Sequence, residues 1–322
     1  MNDMMVPNTP GNLDWLLEGD VVLQYLVNRD LLDDEPGDVA ALQDTCLKKI
    51  VKDVSSWPWP AITGHKTADH PLHKFAFLAD LGIDVGGALG PDLLTSLEET
   101  LVDGLPRLPT KTPERYGGSG RTELAWSLCD TPLLLYSLSK CYPSFNGKVG
   151  LRTLSTMIRE NGMPCVVSPE LGKFRGPGRK DDPCPLANLY SLKAITQIDL
   201  DGYNGMAKVI TDELLTLWQA SRERHPYMFY MGTDFRKLKL PFVWYDVLSV
   251  TEALSHCPWT HDDPRFQDML AVIDLKADHD RRFKAESIWT AWKDWDFGQK
   301  KEPSRWVTFV VERLDQRVGK GE

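Results

Sequence analysis

PLHKFAFLADL, residues 71–81, sets a proline ahead of an apolar run with hardly any polar face, and a long polar loop precedes it. The same unit returns at Pro132 (LLLYSLSKC), Pro185 (LANLYSLKAI), Pro241 (FVWYDVLSVTEAL) and Pro303 (SRWVTFVVERL), at spacings of 61, 53, 56 and 62 residues. Repetition at such a period marks an array of helical hairpins, because one unit cannot bury its apolar face without its neighbours. Proline suits the first helical position, where the N–H it lacks would have no partner. Each of these prolines therefore predicts a helix start.

Amphipathic stretches lie between these runs, at residues 91–104, 148–160, 204–223 and 264–279, with an earlier pair at 21–32 and 39–54. Their apolar residues fall at i, i+3, i+4 and i+7, the pattern of half-exposed helices. The expected fold is all-α: an α/α toroid of about six helical hairpins, with an apolar inner ring and an amphipathic outer ring. It is expected to run through residues 1–322 as a single domain. Loops after the proline-headed runs are short, whereas those before them are long: 56–70, 105–131, 161–184, 224–240 and 280–302. In antiparallel hairpins all connections of one kind lie at one end. The long loops should thus collect at one mouth, beside the inner-helix N-termini, and ordered loops of this length are usually functional.

An apolar content of 42% supports a large core, and a net charge of −9 argues against nonspecific nucleic-acid or acidic-membrane binding. No apolar run reaches the roughly 18–20 residues of a membrane span, and the first residues carry no signal-peptide core. A soluble, cytoplasmic protein is expected. The six cysteines show no CxxC spacing, which predicts reduced thiols, with Cys46 and Cys141 as core residues.

Inner and outer helices with a site at the inner N-termini resemble the α/α toroid of squalene–hopene cyclases, class II diterpene cyclases and protein prenyltransferase β subunits. More closely, the chain from Asp14 to Leu314 is similar to bacterial proteins described as having prenyltransferase/squalene oxidase repeats. WPWPAITGHKTADHPLHK (57–74), SPELGKFRGPGRKDDPCP (168–185), YMGTDFRKLKLPFVWYD (230–246) and WDFGQKKEPSRW (295–306) carry that second resemblance. It implies a fold more than a reaction, because toroids host cyclases, transferases, isomerases and lyases alike.

The resemblance can be tested at GRKDDPC, residues 178–184. Cyclases protonate an alkene with the middle acid of a D-x-D-D motif; here Asp181 takes the donor's place and Asp182 follows, but Arg179 replaces the first acid. Arg179 and Lys180 would hold the Asp181 pKa down, which does not suit alkene protonation. Protein prenyltransferases bind zinc through an Asp-x-Cys before an inner helix, and Asp182-Pro183-Cys184 matches that spacing. Their histidine ligand begins a later inner helix, and the run from Pro241 has none, so a zinc site is left open but unsupported and no other cofactor is expected. QxxxGxW repeats and a DDxxD motif are both missing from the chain.

The sharpest local signal is cationic: 172–180, 234–239 and 299–305 hold ten of the 37 Lys and Arg residues. Focused at one mouth beside helix N-termini, they would make a positive field for a small anionic substrate. Lys66, Lys173, Arg175, Arg179, Lys180, Arg236 and Lys237 are the candidates to hold the anion, with Trp59 and Tyr230 among the rings around it. The alternative is a network closing that end through acids such as Asp69, Glu170 and Asp234. Rings such as Tyr116, Phe174, Tyr227, Phe229, Trp292 and Trp295 can line an apolar pocket or roof a core.

His65, in a polar loop, is the preferred general acid/base, whereas His70 and His73, one turn apart, suit a metal, a proton relay or, for His73, a capping or surface role. Cys184, between a cation cluster and a helix start, is a candidate nucleophile with a lowered pKa; Asp181 and Asp182 complete the acid/base candidates. The reading is an enzyme that binds an amphipathic anion and carries out proton-coupled cyclisation, isomerisation or elimination. Prenyl transfer is an alternative, as is a module that only binds an anionic ligand or an acidic partner segment. The sequence specifies no oligomeric state.

Overall fold

The computed structural model describes residues 10–34, 39–174, 176 and 178–319. In chain order its helices are α1 (Pro10–Leu17), α2 (Val21–Leu31), α3 (Val39–Leu42), α4 (Thr45–Ser55), α5 (Pro71–Leu81), α6 (Gly86–Leu89) and α7 (Pro91–Glu98). A hairpin of β1 (Leu108–Lys111) and β2 (Thr122–Ala125) follows. Then come α8 (Thr131–Cys141), α9 (Lys148–Ser155), α10 (Pro185–Ile198), α11 (Asn204–Gln219), α12 (Val247–Ser255), α13 (Pro264–Asp274) and α14 (Arg305–Gly319). The fold is all-α.

α5 packs on α8, α8 on α10, α10 on α12, α12 on α14 and α14 on α2. The Arg29 side chain of α2 returns to α5, donating to the Leu81 and Gly82 carbonyls at 2.8 and 2.7 Å and satisfying the helix end. Inner helices are buried nearly all round: α10 is buried from Pro185 through Ile195. Outer helices bury one stripe against them. α4 buries Leu47, Ile50 and Val54, and α13 buries Phe266, Met269 and Ile273, both at helical spacing. About 1.5–3 kcal/mol per such side chain is an upper figure for what the stripe contributes.

Pro71 and Pro185 open α5 and α10, and Pro132 is the second residue of α8. Pro241 and Pro303 do not open helices, which corrects the expectation. α12 begins six residues after Pro241 because Asp246 caps it, its carboxylate accepting the Ser249 N–H at 3.0 Å. α14 begins after Ser304, whose Oγ accepts the Val307 N–H at 3.2 Å. Residues 39–54 likewise divide, because Asp44 caps a new helix at Leu47 N.

The inner C-termini converge on a second cavity of about 450 Å³ walled by charge. There Asp80 accepts from Lys193 at 2.6 Å and from Tyr136 at 2.7 Å, and Glu252 accepts from Arg317 at 3.3 Å beside His256 at 3.1 Å. Opposed charges and bonded helix ends make this a closing network. The long loops gather at the other end, where loop 105–131 is stitched to loop 161–184 by Leu128 N to Val166 O and Ser168 N to Trp126 O. Loop 56–70 lies on β1 through Ile62 N to Pro109 O.

Candidate functional site

Where these loops meet, a cavity of about 450 Å³ opens above the starts of α8 and α10. Its wall takes Ile62–His65 from the first long loop, β1 and the turn after it from the second, Cys165 to Gly176 from the third, and Tyr227 and Phe229 from the fourth. Asp130, Cys184, Leu186 and Trp244 complete the floor and side.

Asp130 stands at the N-cap of α8, where an aspartate ordinarily accepts a backbone N–H from the first turn. Its side chain makes no such bond. One oxygen faces His65 Nδ1 at 2.9 Å and the other accepts from Ser127 Oγ at 2.5 Å. Burial favours the neutral acid, but the His65 charge, the two hydrogen bonds and the helix terminus outweigh it, and the Asp130 pKa is lowered. Burial would likewise discharge His65. The Asp130 carboxylate overrides it, and the imidazole is pushed up to about 9. At neutral pH the pair is imidazolium and carboxylate, with Nε2 left for the cavity that His65 lines.

The neighbouring histidines do different work. His70 caps α5: Nδ1 accepts the Leu72 N–H at 3.1 Å while Nε2 donates to the Pro60 carbonyl at 2.8 Å. Burial lowers its pKa. His73 is only 4% exposed, which corrects its surface reading, and burial pushes its pKa down to about 4. Both His70 ring nitrogens are thus engaged by backbone, and His73 is enclosed on the buried face of α5. Among the described residues no group of three or more His, Cys, Asp or Glu side chains is arranged to hold a metal ion.

Rings make up much of the remaining wall. Phe229 stacks on Trp244 at 4.9 Å, and Lys66 Nζ lies 4.5 Å over the same Trp244 ring. Tyr227 adopts φ 51°, ψ 30°, unusual for a side-chain-bearing residue and worth about 1–3 kcal/mol of strain. Its hydroxyl donates toward the Arg179 and Asp182 carbonyls at 3.2 and 3.3 Å. A Cβ on Gly178 would lie 2.5 Å from the Tyr227 ring, so glycine is what admits that ring. Lys111 and Arg115 border the cavity as exposed cations, and Asp130, the carboxylate in its wall, is already engaged.

Of the sequence candidates, the structure brings His65, Cys184 and the rim residue Lys66 together. Asp181 is exposed, its backbone carbonyl held by Asn161, and Asp182 turns back to accept the Arg179 N–H at 3.0 Å. Lys173, Arg179 and Lys180 are exposed on the loop's outer side, and Arg175 lies outside the described residues. Arg236, Lys237 and Tyr230 line a different cleft with Arg222 and His225. There Arg236 sits 4.3 Å over Trp218, and Lys237 lies 3.6 Å from Asp234. None of these five described cations lines the His65 cavity. Trp59 is a core residue, 3% exposed, donating to the Val54 carbonyl at 2.8 Å. Trp292 and Trp295 pack on Phe77 in the barrel.

Asp130, Ser127, Lys111, Arg115, Cys129 and Trp244 were not singled out from the sequence for these positions. A signal existed for Asp130, in SLCDTP: an acid at the cap position directly before a proline-headed inner helix.

No protein-family model matches the chain, and no curated protein matches it. Among solved structures it is similar to ent-copalyl diphosphate synthase from Streptomyces platensis, at 15% identity and a TM-score of 0.41. The match covers 78% of this chain and 43% of that one. No helix of the described residues is long and apolar enough to cross a membrane.

Proposed function

We propose that the loop-end cavity binds a small amphipathic anion and that His65, charged by Asp130, moves a proton on it in an elimination or isomerisation. The observation that carries this is the pairing of half-buried His65 with buried Asp130, 2.9 Å apart, in a ring-lined wall. Phe229, Tyr227 and Trp244 would take the apolar body, and Lys111 and Arg115 the anionic head. His65 Nε2 would donate its proton to a leaving oxygen or an enolate-like carbon. The neutral ring, its Nδ1–H still on Asp130, would then take a proton back through Nε2. An imidazolium of pKa about 9 is far too weak to protonate an isolated alkene. Cyclisation started by alkene protonation is therefore the less favoured member of the class, and prenyl transfer has no observation of its own.

The test is incubation in D2O with a panel of alkenyl and hydroxy-alkyl carboxylates, phosphates and diphosphates, isoprenoid chains included, followed by mass spectrometry. A new product, or deuterium at a carbon, that is lost in Asp130→Asn supports the reading. Ligands that bind saturably and are recovered unchanged and unlabelled would make the cavity a binding site only.

A further inference from the structure

The proton-transfer reading leaves three sulfur atoms in the same wall unused. Cys129, Cys165 and Cys184 all line the cavity, although they come from the turn before α8, the first part of loop 161–184 and the residue before α10. Cys129 Sγ and Cys184 Sγ are 3.4 Å apart, and Cys165 hydrogen-bonds to Cys129. Half of the chain's six cysteines thus meet at one point. Cys46 lies on α4 and Cys141 ends α8, and both are free, as is Cys257.

A disulfide needs its sulfurs at about 2.05 Å, so the Cys129–Cys184 pair must close by about 1.4 Å, within reach of side-chain rotation. Each backbone is held by hydrogen bonds of its own. Cys184 N donates to the Met163 carbonyl at 2.7 Å, and its own carbonyl accepts from Asn188 Nδ2 at 2.9 Å. Cys129 sits in the turn closed by Thr131 N to Ser127 O at 2.9 Å, and α8 packs along α10. Both thiols are mostly covered by protein, yet each forms part of the wall of an open cavity that a molecule the size of hydrogen peroxide can enter. Hydrogen bonds with Cys165 and Cys184, together with burial, push the Cys129 thiol up, so it stays protonated.

We infer that Cys129 and Cys184 are a dithiol that a peroxide oxidises to a disulfide across the pocket floor. The Cys184 thiolate attacks one peroxide oxygen, the O–O bond breaks, and sulfenic acid and hydroxide form, the latter leaving as water once protonated. The Cys129 thiol then attacks that sulfur: the S–S bond forms, the S–O bond breaks and a second water leaves. Overall two thiols lose two electrons and two protons, and the peroxide becomes two waters. The cross-link ties the start of α8, and with it Asp130, to the start of α10. This inference does not rest on proton transfer by His65, and Asp130→Asn is expected to retain the cross-link.

The test uses the full chain, reduced, freed of reductant and treated with a small excess of hydrogen peroxide. The protein is then unfolded in N-ethylmaleimide and digested with trypsin without reduction. Tryptic peptides 122–140 and 181–193, which carry Cys129 and Cys184, are expected as one linked species that separates with dithiothreitol. The species is expected to persist in Cys165→Ser and vanish in Cys129→Ser. Recovery of Cys129 and Cys184 as maleimide adducts or as separate sulfinic or sulfonic acids overturns the inference. So does a link from either of them to Cys165 as the main product.

Discussion

His65 Nδ1 and Asp130 Oδ1 stand 2.9 Å apart, one on a loop and the other on the cap of an inner helix, and each holds the other in its charged form. In Asp130→Asn the attraction is gone while the desolvation remains. The His65 pKa is expected to fall from about 9 to 6.5 or below. Titration of the imidazole by NMR checks this, and a value that stays near 9 in the variant would mean that another anion charges the ring.

The same pair makes stability depend on pH, with a definite sign. A histidine raised in the folded state from 6.5 to about 9 stabilises fully below about pH 6.5 and loses that contribution as pH rises through 9. His73, pushed down to about 4, acts on the other side: its contribution is full above about pH 6.5 and is lost as pH falls toward 4. The His65 shift corresponds to about 3 kcal/mol, and with the side chain 31% exposed about 2 kcal/mol is expected after screening. Denaturant unfolding of wild type and Asp130→Asn at pH 6 and pH 9.5 isolates it. The stability advantage of wild type should shrink by about that amount at the higher pH, and a constant difference would contradict the assignment.

The division of the cations predicts which of them a ligand feels. Lys111 and Arg115 border the cavity, whereas Arg236 and Lys237 line the other cleft. Lys111→Ala or Arg115→Ala should weaken binding of a fluorescent long-chain carboxylate about five- to tenfold, or ~1 kcal/mol each. Arg236→Ala and Lys237→Ala should leave it unchanged. Fluorescence titrations of the four variants decide this, and the reverse ranking would place the head-group site in the Arg236 cleft.

The sequence made helix starts legible where proline itself occupies the first turn, as at Pro71 and Pro185. It misplaced them at Pro241 and Pro303 because a capping side chain, Asp246 or Ser304, sets the boundary by taking a backbone N–H, and that competition is invisible to an apolar pattern. At the candidate site, loop length located the mouth, and loop position singled out His65 and Cys184. Charge clustering misled, because clustered cations can be taken up by local partners: Arg236 lies over Trp218, while Lys237 and the buried Lys239 each lie 3.6 Å from Asp234. Asp130 was missed because an aspartate before a helix reads as a cap. Only the absent cap bond reveals that its carboxylate is directed to His65.

One buried amide side chain holds Cys184 in place. Asn188, on the first turn of α10, is fully buried: its Oδ1 accepts the Met163 N–H at 2.9 Å, and its Nδ2 donates to the Met163 and Cys184 carbonyls at 3.2 and 2.9 Å. One amide side chain therefore fastens loop 161–184 to the helix it leads into. The neighbouring Gly162, at φ +93°, leaves the space it needs, since a Cβ there would lie 2.5 Å from Asn188 Oδ1. Asn188→Ala would strand the buried Met163 N–H and remove both carbonyl bonds, at a cost of about 2–4 kcal/mol. Alkylation of Cys184, followed on peptide 181–193, should also accelerate relative to Cys141 on α8, because the loop would open more often than the helix. A variant that melts like wild type and shows no change in that ratio would mean that the ladder contacts of the loop, Cys184 N to Met163 O among them, hold Cys184 without Asn188.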